Sequence, residues 1–406
     1  MKKLVFLLIV IHCILSFSPK FTSGVYAMVD AGVVLVLAGC FLFNSIRTPY
    51  ASRIFPYFIG FFLLLLLYYI IGYSSSTIGR ACFPLPKFLF SVFITMYCCE
   101  NMNVKEMKGI VAAIVIIAFV NVLYNAIFCT QYPYASTEAV TDFDFRSLNV
   151  GGTKFSHFSL SFFILSFCGV LEAKHRLLRI VFLLLTLLSA YYVIQCGQRM
   201  TIILFLFMAT ILLVISKITT RRIMVLVLTI IATVVVLGHS DFVLEKMYSL
   251  TDSERVMQRL NSLSETSFYG VDNDSFSGRI YYYKMSLNTL FGGLGNFFFG
   301  VGYHEAELEN KFLIGIGGHS QILDILAMYG IVGGVLVYMI LRYTYNYLSY
   351  LINNEHYRRQ FSIIFIIFIS LSLLKYTFDD HNSLLLFFAL PLLYKIFDNP
   401  QLKPAK

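Results

Sequence analysis

The chain has 406 residues, of which 58% are hydrophobic and only 13% charged, and its formal net charge is +9. An average soluble domain is about 25% charged, and a water-soluble protein of this composition would expose large apolar patches and aggregate. The composition therefore excludes an ordinary soluble enzyme and predicts an integral membrane protein.

Twelve apolar segments match the roughly 20 residues that a helix needs to cross a bilayer. They are predicted at 4–17, 24–43, 54–73, 81–98, 109–130, 155–171, 180–196, 201–216, 223–238, 320–341, 361–375 and 384–397. Pro84, Pro86 and Lys87 predict a kink or a re-entrant piece in the fourth segment. The first segment also resembles a secretory signal, but no small-x-small cleavage site follows it, so we interpret it as a span.

The distribution of basic residues predicts the orientation of these spans. With the amino terminus inside, the inner segments with the adjoining ends of the spans carry 18 basic and 5 acidic residues, and the outer segments with theirs carry 12 basic and 15 acidic residues. This asymmetry predicts a multi-pass protein with both termini in the cytoplasm. The positive net charge is then the positive-inside signature, and no nucleic-acid partner is needed to explain it.

The expected fold class is an all-α polytopic membrane protein with about 12 transmembrane helices and a large outer-face loop that contains short helices. The whole chain, 1–406, forms one integral membrane domain, and residues 239–318 are the outer loop between spans nine and ten. In this loop, residues 240–265 have the apolar spacing of amphipathic surface helices. "IYYYKMSLNTLF" predicts a further helix, which "GGLGNFFFGVG" breaks. Because the long loops are concentrated on the outer face of the bundle, the functional site is expected at that face.

The sequence contains no common motif for a metal or a nucleotide. Its eight cysteines lie within or at the edges of the spans, so the outer loops hold no disulfide framework and no metal-ligand spacing. P-loop, HExxH and GxSxG motifs are absent, and "GVG" at 300–302 is too short for a nucleotide fingerprint. We therefore expect no metal and no cofactor.

Three outer-face residues are candidates for chemistry, and each is predicted near the amino-terminal end of a helix. Arg199 lies in "QCGQRMTIILF" at the start of the eighth span, Arg279 in "SGRIYYYK" of the loop, and His319 just before the tenth span. The macrodipole disfavours a cation there by ~0.3–1 kcal/mol. The two arginines are thus placed to bind an anion such as phosphate, together with helix amides. The alternative for Arg199 is that it snorkels to a lipid head group.

The imidazole of His319 at such a terminus is expected to be neutral near pH 7, as a general base requires. The alternative is a structural histidine that hydrogen-bonds a loop carbonyl. Asp324 follows Ser320 by one helical turn, and the cost of a charge in a span predicts that it faces the bundle interior. There it would pair with Ser320 or with an arginine.

Two pairs of aspartates, one in "TDFDF" and one in "VDNDS", could hold a divalent cation in a glycosyl-transfer site. Carboxylates at this spacing in a loop are common, and solvated turns are the favoured interpretation. The residues are Asp142, Asp144, Asp272 and Asp274.

The order of these motifs resembles the O-antigen polymerase and O-antigen ligase superfamily of bacterial surface-polysaccharide assembly. An arginine in a short outer turn is followed by "SGR" in a large outer loop, by "GVG", and by "GHSQILDILAMYGIVGG", a histidine before a helix that ends in Gly-Ile-Val-Gly. The resemblance is specific over about 195–341. The chain departs from the arginine-x10-glycine pattern of the polymerases, because Leu290 and Thr210 stand eleven positions after the two arginines.

The resemblance implies a metal-independent, inverting glycosyl transfer at the outer face of the bacterial cytoplasmic (inner) membrane. The donor would be an oligosaccharide linked to undecaprenyl pyrophosphate, and the other partners would be membrane lipid and a chain-length regulator. Arg199 and Arg279 would stabilise the leaving diphosphate, and His319 would act on the acceptor hydroxyl. The candidates for substrate binding are Gln198, Arg146, Lys284 and Asp324.

Three functions remain open at this point. The first is a polymerase that extends a polysaccharide by whole repeat units, and the second is a ligase that moves finished chains onto lipid A-core. The third is a lipid-linked oligosaccharide flippase or another transporter. Transporters keep their polar residues near the middle of the membrane, whereas here these residues cluster at one face.

Overall fold

The computed structural model describes residues 2–17, 25–45, 49–71, 84–131, 153–195, 199–215, 274–302, 315–318, 320–373 and 380–398. All regular elements in these ranges are helical, and the chain is an all-α membrane protein as its composition predicts. The helices are α1 (Lys2–Phe17), α2 (Val25–Ser45), α3 (Pro49–Ile70), α4 (Pro84–Asn101), α5 (Val104–Gln131), α6 (Thr153–Glu172), α7 (Arg176–Gln195), α8 (Arg199–Ile215), α9 (Asp274–Leu290), α10 (Leu294–Phe299), α11 (Gln321–Leu351), α12 (Glu355–Ser372), α13 (Asp380–Ser383), a π-helical segment (Leu384–Ala389) and α14 (Leu390–Asp398).

Eleven of the twelve predicted spans coincide with helices of the described ranges. The ninth, 223–238, lies outside the described residues, and so do the predicted amphipathic helices of 240–265. Within the described ranges, four helices are long and apolar enough to cross a membrane by themselves: Ser52–Ile70, Val104–Tyr124, Arg176–Val193 and Gln321–Leu351. Five more apolar helices of the described part are shorter.

Two details of the predicted spans are wrong. The predicted kink or re-entrant piece in the fourth span is one uninterrupted helix that begins at Pro84, because proline is well suited to the first helical position, where its missing N–H has no partner to lose. The predicted tenth span ends at 341, whereas its helix, α11, has 31 residues and runs ten residues further, to Leu351.

Helices α3 and α11 pack antiparallel along a seam of aromatic side chains. At one end of the seam, the Tyr50 hydroxyl donates to Thr344 Oγ1 at 3.0 Å, and its ring stacks on Tyr347 with centroids 3.9 Å apart. At the other end, the ring of Tyr68 stacks on Tyr329 with centroids 6.3 Å apart. Tyr68 is close to the last residue of α3, so α3 ends near Tyr329 of α11.

The contacts between helices define the two ends of the bundle. Glu172 at the end of α6 lies 2.9 Å from His356 at the start of α12, so α6 ends where α11 ends. It follows that α6, α8 and α11 all begin at the other end, where α3 also ends. We call this the site end, and the end that holds Glu172 the opposite end. The distribution of basic residues predicts that the site end faces outward.

Candidate active site

Helix α11 is broken at Gly330, which lies level with the end of α3. Gly330 has φ 64° and ψ −169°, outside the helical region. Residues 298–302, which we call the clamp, lie against the break. The amide of Val301 donates to the Ala327 carbonyl at 3.0 Å, and the amide of Gly302 donates to the Met328 carbonyl at 2.9 Å. The clamp thus supplies backbone donors to carbonyls next to the break, as apolar surroundings require.

The contact at the break has no space for a side chain on either partner. A Cβ on Gly330 would overlap the carbonyl of Phe298, and a Cβ on Gly300 would overlap the carbonyl of Met328. Both glycines also have a positive φ, which an L side chain disfavours. The Tyr68 hydroxyl of α3 donates to the carbonyl of Phe299, so the clamp is bound to two helices of the bundle.

Residues 315–318, which we call the strap, run across helix α9 just before α11 begins. The Thr289 hydroxyl donates to the Gly315 carbonyl at 2.6 Å, and Ile316 between the strap's glycines is fully buried. A Cβ on Gly317 would overlap the backbone carbonyl of Tyr282. The glycines of "GIGG" therefore let the strap lie directly on the backbone of α9.

The first turn of α11 is fixed by hydroxyl groups of two serines. Ser320 is the N-cap, and its Oγ accepts from the amide of Leu323 at 3.2 Å, as serine does at this position in many helices. Asp324 is fully buried, and its Oδ1 accepts from Ser286 Oγ of α9 at 2.7 Å. The same Ser286 oxygen accepts from the Gly317 amide at 2.9 Å. Asp324 thus faces the interior as predicted, and a serine of α9 contacts its carboxylate.

For the two candidate arginines, the structure describes the backbone only. Arg199 is the first residue of α8, at the site end. Position 279 lies in the second turn of α9. It is on the same face as Ser286, because a spacing of seven residues makes about two helical turns. His319, Gln198 and Arg146 lie outside the described residues, although the neighbours of position 319, Gly318 and Ser320, are described on both sides.

Lys284 is an exposed residue of α9. At 100° per residue it is about 160° around the helix from Ser286, so it does not join the face that contacts the strap and α11. Of the paired aspartates, Asp274 is the first residue of α9, and the other three lie outside the described residues. Within the described ranges, no three His, Cys, Asp or Glu side chains are close enough to share a metal ion.

Ser286 and the clamp are features of this end that sequence reasoning did not find. One signal in the sequence could have indicated Ser286. It stands seven residues after Arg279 on a helix that was itself predicted, and this spacing puts the two positions on one face. The signal for the clamp was a pair of glycine motifs, "GVG" at 300–302 and "GIVGG" at 330–334, but nothing in either motif indicates that it contacts the other.

The site end therefore holds the start of α8, the face of α9 that includes position 279, and the start of α11 next to position 319, and α9 contacts α11 there through Ser286 and Asp324. Residues 184–338, which contain all three positions, match the family model described as O-antigen ligase. The match confirms the resemblance that the motifs indicated. No curated protein matches the chain.

Proposed function

We propose that the chain is a polysaccharide repeat-unit polymerase, on the basis of the match between residues 184–338 and the family model described as O-antigen ligase. It would transfer a growing glycan from undecaprenyl pyrophosphate onto the next lipid-linked repeat unit. The reaction would take place at the outer face of the cytoplasmic membrane, with both termini of the chain in the cytoplasm and with a chain-length regulator as a further partner.

In the proposed reaction, a hydroxyl oxygen of the acceptor sugar attacks the anomeric carbon of the donor glycan. The bond from that carbon to the pyrophosphate oxygen breaks, and undecaprenyl pyrophosphate leaves with the electron pair. His319 takes the proton of the acceptor hydroxyl. Arg199 and Arg279 stabilise the charge that develops on the leaving diphosphate, because preorganised cations in a site shielded from water act most strongly on the transition state.

The observation that supports this proposal is that three separate segments lie at one end of the bundle. Positions 199 and 279 lie on α8 and α9, and the residues on both sides of 319 belong to the strap and to the N-cap of α11. They also fall inside the matched segment. Gln198 and Arg146 would contact the glycan or its diphosphate, whereas Lys284, on another face of α9, would not. Asp324, fully buried, would support the start of α11 from inside the protein.

A ligase is the second candidate, favoured by the description of the family model itself. The ligase would use the same three residues but a lipid A-core acceptor. The match gives no support to the flippase or transporter alternative.

Deletion of the gene in the source bacterium separates these candidates, with surface glycolipids resolved on a gel. For a polymerase, we expect single repeat units on the core in place of a ladder. Polymer that accumulates on the undecaprenyl carrier, with an uncapped core, would instead identify a ligase. A full ladder in the deletion strain would contradict both.

The site assignment is tested by the variants Arg199→Ala, Arg279→Ala and His319→Ala in the deletion strain. We expect each to lower the rate of transfer by about 10²–10⁴-fold, the range for loss of a charge-stabilising group or of a general base. Immunoblots of membranes must show normal amounts of protein. Arg→Lys is also expected to impair transfer, because lysine lacks the guanidinium fork. Wild-type ladders from all three alanine variants would contradict the assignment.

A further inference from the structure

One buried hydroxyl, that of Ser286, joins three separate segments of the site end. Ser286 is 1% exposed and belongs to α9. Its Oγ donates to Asp324 Oδ1 of α11 at 2.7 Å and accepts from the amide of Gly317 in the strap at 2.9 Å. A serine hydroxyl carries one donor hydrogen, and here the hydrogen is directed to the carboxylate while a lone pair receives the amide.

The carboxylate of Asp324 makes this hydroxyl difficult to replace. Asp324 is fully buried, and a buried carboxylate needs hydrogen-bond donors in fixed positions. Its charged oxygen holds the Ser286 hydroxyl more firmly than a neutral acceptor would. Removal of the hydroxyl would take one donor from the carboxylate and the acceptor from the Gly317 amide at the same time.

Of the three segments that Ser286 joins, α9 carries position 279, and the strap and α11 lie directly before and after position 319. Position 279 lies on the same face of α9, two turns or about 10 Å along the helix axis. The strap ends at Gly318, and Ser320 caps α11, so position 319 lies between two residues of this framework. The distance between the proposed diphosphate-binding position and the proposed base therefore depends on how α9 is joined to the strap and to α11.

We propose that Ser286 is a positioning residue for glycosyl transfer, because its hydroxyl fixes α9 against the strap and the start of α11 and thereby sets position 279 relative to position 319. This inference rests on the proposed function. Ser286 does not touch the substrate in this role, and it takes no part in the transfer of the proton.

The test compares Ser286→Ala with Ser286→Thr, which keeps the hydroxyl, in membrane vesicles of the deletion strain. The probe is the strain's own lipid-linked repeat unit, labelled through its sugar. Because misplacement by about 1 Å can cost on the order of 100-fold in rate, we expect Ser286→Ala to lower kcat by tenfold or more with little change in KM. Ser286→Thr should recover most of the rate.

Ser189→Ala is the matched control. Ser189 is also fully buried and lies in the matched segment, but its hydroxyl donates to the Leu185 and Thr186 carbonyls of its own helix α7. We expect this variant to keep the wild-type rate. If Ser286→Ala does not accumulate in the membrane, Ser286→Cys, which keeps the volume but hydrogen-bonds weakly, takes its place with the same expectation.

Wild-type rates in Ser286→Ala or in its cysteine replacement would overturn the inference, and so would equal losses of rate in the Ser286 and Ser189 variants. A rise in KM without a fall in kcat would also overturn it, because positioning acts on the transition state. The proposed function is judged separately by Arg199→Ala, Arg279→Ala and His319→Ala. If these are inactive while Ser286→Ala is fully active, the positioning role alone is wrong.

Discussion

The two ends of the bundle are joined by different kinds of contact. At the opposite end, polar side chains bind one another across helices: Glu172 Oε1 lies 2.9 Å from His356 Nε2 and accepts from Gln360 Nε2 at 2.9 Å. At the site end, backbone groups and hydroxyls make most of the described connections. The clamp donates two amides to α11, and the strap is bound through Gly315 and Gly317.

This difference shows which substitutions each end should tolerate. Contacts between long polar side chains can relax when one partner changes, because the side chains are flexible, and here Glu172 and His356 are also partly exposed. Contacts between backbones cannot relax in this way, because a new Cβ meets a carbonyl that belongs to a packed helix. The site end is therefore expected to be sensitive to the size of its residues, and the opposite end to their charge and hydrogen-bonding capacity.

The largest effect on stability is expected for Gly330→Ala. The new Cβ would overlap the Phe298 carbonyl at a residue with positive φ, at a combined cost of about 2–5 kcal/mol from the backbone conformation and the overlap. The apparent melting temperature of the detergent-purified protein measures the loss. Gly295→Ala in the nearby α10 is the control, because its Cβ would meet no atom within 4 Å. Equal melting temperatures for the two variants would contradict the close contact between Gly330 and the clamp.

A smaller effect is expected for Glu172→Gln at the opposite end. The amide keeps one oxygen acceptor but loses the charge, so the cost should be about 0.5–1.5 kcal/mol, the range for one hydrogen bond. The apparent melting temperature should fall slightly, and the rate of glycan transfer in vesicles should stay at the wild-type value. A loss of transfer with unchanged stability would show that the opposite end contributes to the reaction.

The smallest effect is expected for Arg359→Ala, also at the opposite end. Arg359 Nη2 lies 2.6 Å from Glu355 Oε1 one turn away, but both side chains are at least 70% exposed. Such pairs contribute about 0.3–0.5 kcal/mol, so the melting temperature should be nearly unchanged. A fall as large as that of Gly330→Ala would mean that the contrast between the two ends is wrong.

The helices of the fold were largely predictable from the sequence, because apolar runs of membrane-spanning length leave few alternatives. The exceptions are informative. Helix α11 extends past Arg342 because hydrogen bonding within a helix continues beyond the point where hydrophobicity falls. The apolar pattern indicates where a span crosses the bilayer, whereas the helix ends where the backbone finds other partners.

The candidate site was predictable in its parts but not in its framework. Arg199 and Arg279 are recognisable as cations near helix starts, and Asp324 as a carboxylate that must be buried. The break at Gly330 depends on a backbone contact with residues about 30 positions earlier in the chain. Ser286 is likewise one serine among several on α9 until the strap is known to lie across it. Both features come from tertiary contacts that leave no periodic trace in the sequence.

The clamp and the strap have a consequence for how this protein can diversify. Gly302 and Gly315 are both bound to the same frame, by α11 and by α9 respectively, so the chain between them, 303–314, has anchored ends. Because both ends of this interval are held by the frame, a change of sequence within it should leave the clamp and the strap where they are.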